Sequence, residues 1–208
     1  MTRKTPAGTW IAEIWFDPSC PYTWITSRWL VEVTGVRPVE IRWHVMSLSV
    51  LNEHRDDDPE GDPDGYLWVP VRVCAAVERH HGHEALGRFY TALWTHVRDG
   101  DDWTGDLETA LAEAGLPREL AAAGTSREYD DAVRASHHEG FGLVGGDTGT
   151  PVIAVTGPGA DRTAVFGPVV SRVPRGEEAG RLWDGLLLTT SVPGFHSITG
   201  PPLGGPEF

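Results

Sequence analysis

The spacing of apolar and polar residues changes several times along the chain, and each change marks an element. Residues 9–16, TWIAEIWF, form a β-branched and aromatic run that predicts a buried strand. Asp17 and Pro18 break it. The next segment, YTWITSRWLVEV, sets Trp24, Ser27/Arg28 and Val31 at helical spacing, with Pro21 suited to the first turn and Gly35 to the close. In residues 39–46, VEIRWHVM, the apolar Ile41, Trp43 and Val45 alternate with Glu40, Arg42 and His44, the period of a strand.

Residues 52–65, NEHRDDDPEGDPDG, are acidic and rich in turn formers, which predicts a solvated loop or a lid. Helical periodicity then runs through 67–98, 106–123 and 126–140, interrupted by DGDDWTG and by AAAGTS. Strand character returns at 152–156 and 163–166 across the turn-rich GPGAD, and a last helix over 176–190 opens with Glu177 and Glu178 at the positive end of its dipole. Read in order, this is βαβ, a helical insertion, then ββα. It predicts an α/β chain with a thioredoxin-like fold: residues 1–50 and 145–192 form the thioredoxin-like domain, 66–143 an inserted helical domain, and 193–208 an irregular Gly/Pro-rich tail.

Composition narrows the function. A 40% hydrophobic content with nine Trp supplies a large core, while 30 acidic against 17 basic residues give a net charge of −13. That charge repels phosphate backbones and anionic membrane faces, so neither nucleic acid nor membrane is expected as a partner. The N-terminal stretch lacks the apolar core of a secretory signal and there are only two cysteines, which points to a reducing cytoplasm. The oligomeric state is left open.

Candidate chemistry centres on Cys20, where the first strand hands over to the first helix. Unpaired N–H groups and the helix dipole at such a position stabilise a thiolate, so a lowered pKa is expected. Thr23, one turn on, can hydrogen-bond the sulfur; together these are the expected catalytic pair. Gly149-Thr150-Pro151 precedes the third strand, and in this fold the proline at that place is cis and brings its backbone beside the nucleophile. Cys74 falls on an apolar helical face and reads as core. His80, His81, His83, His137 and His138 show no metal-ligand spacing, so no metal is expected.

A set of motifs spread over nearly the whole chain carries a resemblance. Phe16-Asp17-Pro18-Ser19-Cys20-Pro21-Tyr22-Thr23-Trp24, His44-Val45-Met46-Ser47-Leu48, Asn52-Glu53, Arg55-Asp56-Asp57, Ser136-His137-His138, Gly149-Thr150-Pro151, Phe166-Gly167-Pro168 and the segment from Pro174 to Gly180 resemble the DsbA-like mycothiol-dependent nitroreductase family. The resemblance implies a thioredoxin fold, a low-molecular-weight thiol (mycothiol) as co-reactant, and a pocket wall that includes Asn52. The family pattern is Cys-Pro-Trp-Cys. This chain has Cys20-Pro21-Tyr22-Thr23, without the second cysteine. More distantly it is similar to kappa-class glutathione transferases and 2-hydroxychromene-2-carboxylate isomerase.

Two functions are consistent with one activated thiol. In the first, Cys20 or a bound thiol adds reversibly to a conjugated small molecule, free or carrier-bound, and lets its double bond rotate before elimination, a cis–trans isomerisation. In the alternative, Cys20 forms a mixed disulfide during mycothiol-dependent reduction of a nitro compound or disulfide. Pro21, Tyr22, Trp24, Asn52, Thr150 and Pro151 are the expected substrate- or thiol-binding residues, with Tyr22 and Trp24 placed to wall a flat substrate and Trp24 equally suited to packing.

Overall fold

Strand β1, Trp10–Phe16, is apolar along most of its length because it lies inside the sheet, parallel to β2 (Val39–Val45) and antiparallel to β3 (Val152–Thr156). Strand β4, Thr163–Phe166, pairs antiparallel with β3 and completes the order β2-β1-β3-β4. This is the mixed α/β architecture expected of a thioredoxin-like chain. The computed structural model describes residues 8–95, 107–146, 148–201 and 204–207. Among them no helix is long and apolar enough to cross a membrane.

Side-chain alternation splits β1 between two cores. Ala12, Ile14 and Phe16 join the large cluster with Trp29, Leu30 and Val33 of helix α1 (Pro21–Thr34), whereas Trp15 joins Met46, Val152 and Ala154 in a smaller one. Helix α1 does not bury the face its spacing first suggests: Val31 is exposed, and Trp29, Leu30 and Val33 are buried. It packs toward the C-terminal helix, where Trp29 Nε1 donates to the Ala179 carbonyl at 3.0 Å.

The insertion departs from its expected outline in three places. A four-residue helix, α2 (Leu48–Leu51), precedes it, started by the Ser47 hydroxyl accepting from the Val50 N–H. The periodic run 67–98 is two helices, α3 (Trp68–His81) and α4 (His83–Thr95), because Gly82 takes a φ of 81° between them; residues 96–98 and the DGDDWTG break lie outside the described residues. The run 106–123 is helical as α5 only over Leu107–Glu113. Gly115 at φ 72° and Pro117 stop it, and the AAAGTS stretch, expected to be a break, lies mostly in a 3-10 segment, Arg118–Thr125. A short 3-10 turn, Arg127–Tyr129, then leads into α6, Asp130–Val144.

These helices share the core of the sheet. Leu86, Phe89 and Tyr90 of α4 belong to the same buried cluster as Phe16, and the Phe16 and Tyr90 rings stack with centroids 4.0 Å apart. Helix α6 lies so close over the other face that a Cβ on Gly140 would collide with the Trp15 ring. The last helix, α7 (Gly176–Thr190), is tied back to the end of α1 by Arg37, which reaches Asp184 and Glu177 at 2.7 Å each.

Candidate active site

Cys20 is the extended residue that caps α1, with Pro21 as the first residue of the helix. The chain reverses there because Asp17 organises the turn. Its carbonyl accepts from the Cys20 N–H at 3.2 Å, its carboxylate accepts from the Ser19 N–H at 2.7 Å and the Leu48 N–H at 2.6 Å. Helix α4 holds the same turn from outside, Trp94 Nε1 donating to the Pro18 carbonyl at 2.9 Å.

The loop before β3 closes the other side. The Thr150–Pro151 bond is cis, as is Gly167–Pro168 nearby. Thr150 Oγ1 accepts from the Asp17 N–H and lies 3.2 Å from Thr23 Oγ1. Thr23 is fully buried, and its hydroxyl hydrogen-bonds the Cys20 sulfur. Thr150 Oγ1 also donates to the Trp15 carbonyl at 3.5 Å.

The ionisation of Cys20 runs against the expectation from its place on the helix. Burial pushes its pKa above the ordinary value, and the Asp17 carboxylate pushes the same way. The Thr23 hydroxyl and the N–H groups of Thr23 and Tyr22 pull it down without offsetting the burial. A helix N-terminus lowers a cysteine pKa most when water or a cation shares the site; here a buried anion does.

Cys20, Pro21, Tyr22, Asn52 and Thr150 line one cavity of about 550 Å³. Thr23 stands behind the sulfur, and Pro151 is buried at the entrance to β3. Trp24 does not wall this cavity: it stacks on Trp94 at 5.2 Å and carries the Arg28 guanidinium at 4.1 Å over its face, so it joins α1 to α4. The acidic loop, expected to be a solvated loop or a lid, is largely exposed and also supplies one wall. Glu60 lines the cavity and accepts from the Asn52 amide at 2.9 Å, and Arg55 also lines it. Leu48 and Leu51 of α2 add an apolar side. Sequence reading gave these residues and Asp17 no site role, although Asp17, Leu48 and Arg55 stand in the motifs that carry the resemblance; the signal for Asp17 was a charged residue directly after an apolar strand end.

The C-terminal segment reaches the mouth of the cavity. Tyr22 Oη donates to the Gly204 carbonyl at 3.0 Å, and the Glu207 N–H donates to the Ser171 carbonyl at 2.7 Å. Away from the site, Cys74 is fully buried in α3, and both cysteines are free. His80 meets the Tyr129 hydroxyl at 3.1 Å, and the buried His137 stacks on Phe141. Among the described residues no group of three or more His, Cys, Asp or Glu side chains is placed to hold a metal.

Comparison with known proteins follows this geometry. The chain is 27% identical over 192 residues to the uncharacterized protein Rv2286c of Mycobacterium tuberculosis, covering 89% of this chain and 80% of that protein. The probable DsbA oxidoreductase SCO1869 from Streptomyces coelicolor superposes with a TM-score of 0.54 at 19% identity, over 92% of this chain and all 100% of that one. The cytosolic disulfide reductase DsbM from Pseudomonas aeruginosa gives 0.52 at 18%, over 86% and 99%, and has also been solved with GSH. At these identities the two solved structures establish the fold, that of DsbA-like thioredoxin-fold proteins. Residues 19–199, from the Cys20 turn through α7, match the family defined by the mycothiol-dependent nitroreductase Rv2466c, and the chain belongs to that family.

Proposed function

We propose that the protein is a monothiol oxidoreductase in which Cys20 alternates between free thiol and mixed disulfide, with a low-molecular-weight thiol, mycothiol by family, as reductant. The observation that carries this reading is the position of Thr23. Its hydroxyl stands where the family's Cys-Pro-Trp-Cys pattern has a second cysteine, and the other cysteine, Cys74, is sealed in α3. The resolving sulfur therefore comes from outside the chain. The comparisons give cis–trans isomerisation no support, and the oxidoreductase fits them better.

On a disulfide R–S–S–R′, ionised Cys20 attacks one sulfur, the S–S bond breaks, and R′–S⁻ leaves to collect a proton. A thiolate from solution then attacks the R sulfur of the Cys20 adduct, and Cys20 departs as thiolate. Oxidation of two thiols to one disulfide releases two electrons and two protons, which suffice to take a nitro group to nitroso with loss of water. The chain's own part is to hold the thiol: Thr23 and the first-turn N–H groups stabilise the sulfur as it ionises, and Tyr22, Asn52, Arg55 and Glu60 give the cavity polar groups suited to a hydroxyl-rich thiol. A fold neighbour solved with GSH supports a seat for a small thiol. Two free cysteines and that neighbour's description as cytosolic support a place in the reducing cytoplasm.

The test is mass spectrometry of the native protein exposed to mycothiol disulfide, beside a coupled assay of disulfide and nitro reduction. One adduct on Cys20, none on Cys74, and thiol consumed in step with product are expected. No adduct, together with altered alkene geometry in a polyene acid without thiol consumption, would overturn the reading.

A further inference from the structure

Asp17 is the only carboxylate that is fully buried among the described residues. It stands three positions before Cys20, and its two oxygens accept one backbone N–H each, from Ser19 and Leu48. Neither oxygen meets an Arg, Lys or His among the described residues. The titratable groups that share its surroundings are Cys20 in the same turn, Cys74 from α3, Tyr90 from α4 and Glu60 from the acidic loop; beyond them stand Arg28 beside Tyr90, Arg55 beside Glu60, and His137 of α6, which accepts from the Ser47 N–H at 3.4 Å. Two neutral N–H groups offset only part of the cost of burying a charge. Two oxygens let the carboxylate staple two loops at once; a carboxylate without a cation beneath a reactive thiol has a further consequence.

We propose that Asp17 is a positioning residue whose charge biases Cys20 toward acting as a reductant: it opposes the ionised sulfur, so that the thiolate, once formed, is a stronger nucleophile toward disulfides and a poorer leaving group from its own adduct. Nucleophilicity rises with the basicity of a thiolate, and the ease of its departure falls. An oxidant built on this fold needs the reverse, a stabilised thiolate that leaves readily. Burial also pushes the Asp17 carboxyl up to about 6. The bias is therefore full at neutral pH and fades as Asp17 takes up a proton below that value. The consequence for reaction direction rests on the monothiol reading; the electrostatic coupling is measured without it.

The experiment follows the rate of iodoacetamide alkylation of Cys20 from pH 4 to 10, read by peptide mass, in the full-length protein and in Asp17→Asn. In the wild type the logarithm of the rate should climb, bend near pH 6 as Asp17 ionises, then climb again to its plateau. Asp17→Asn should lose the bend, reach half-ionisation at lower pH, and react roughly two- to threefold faster at pH 7, a smaller change than loss of the Thr23 donor produces. A change of the same factor at every pH, or a profile that superimposes on the wild type, would overturn the proposal. Should Asp17→Asn fail to fold, the wild type still decides: the ¹³C shift of the Asp17 carboxyl and the bend must share one midpoint, and a single-ionisation profile rejects the idea. A second arm measures the equilibrium between Cys20 and glutathione disulfide, where the Asp17→Asn adduct should be reduced more easily by about the same factor. If glutathione and mycothiol form no adduct at all while the bend is present, the monothiol function fails and the coupling stands.

Discussion

Cys20 and Cys74 carry the same thiol, both unpaired, and burial and the Asp17 charge raise the pKa of both. What separates them is which other groups reach the sulfur. Cys20 receives the Thr23 hydroxyl and two helix N–H groups and opens on a cavity, whereas Cys74 sits in mid-helix with apolar neighbours and no pull in the other direction. Burial alone thus makes an inert cysteine. Burial with donors and an opening makes one whose ionisation a few hydrogen bonds can control.

The sharpest test of this contrast exchanges each sulfur for oxygen. Cys20→Ser should reduce thiol-dependent turnover to background, and Cys74→Ser should leave it within about twofold, both read in the mycothiol-coupled assay. Equal losses would dissolve the distinction. Next in size is Thr23→Cys, which places a second thiol at the hydroxyl position. An internal thiol competes at an effective concentration far above that of free thiol, so reduction of an insulin disulfide should rise at least tenfold, and the dependence on added small thiol should weaken. Unchanged dependence on small thiol would remove the external-resolution step.

Thr23→Val keeps the shape and deletes the donor. Because the hydroxyl lowers the Cys20 pKa, its loss raises that pKa, and alkylation at neutral pH should slow by roughly three- to tenfold while the plateau at high pH is no lower than in the wild type. Absorbance near 240 nm, followed against pH, reads the shift directly. For Cys74→Ser the expected cost is stability, about 1–3 kcal/mol for burying a hydroxyl without a built partner, measured by urea denaturation.

The smallest expected effect concerns the charge that faces both thiols. Asp17 is raised from 3.8 to about 6, so the folded state binds its proton more tightly than the unfolded chain does. Its contribution to stability is fully present below pH 3.8 and is lost as pH rises through 6. His137 is lowered from 6.5 to about 4, chiefly by burial, so its contribution is present above 6.5 and is lost as pH falls through 4. Each amounts to about 3 kcal/mol and the two oppose each other, so urea midpoints should change little between pH 6.5 and 4. In Asp17→Asn the His137 contribution is no longer offset by Asp17, and stability should fall over the same range on acidification.

The fold was legible because its signals are local. The apolar run of β1, the alternation in β2 and the Gly/Pro breaks around β3 and β4 each follow from a few adjacent residues, and the reactive cysteine stands at a strand-helix junction that the same reading locates. Its surroundings were not legible. Trp24 reads equally as a cavity wall or as packing until α4 brings Trp94 against it, and Glu60 reads as one acid in a solvated run until Asn52 reaches it. Asp17 looks like a strand breaker in sequence. Only the arrival of Leu48 and Thr150 shows it to be enclosed. Burial of Cys20 itself reverses the direction expected for its pKa, and the Asp17 charge adds to it.

The tethers on the Cys20 turn also carry a timetable. Asp17 bonds to Thr150 across 133 positions, and Pro18 bonds to Trp94 across 76. A ribosome adding about 5–20 residues per second needs roughly 7–27 s to make the longer stretch. Throughout that interval the nascent chain carries Cys20 as an ordinary exposed thiol, open to any oxidant or electrophile in the cell. The finished protein encloses its sulfur on every side but the cavity, while the growing one carries it without those neighbours until β3 arrives.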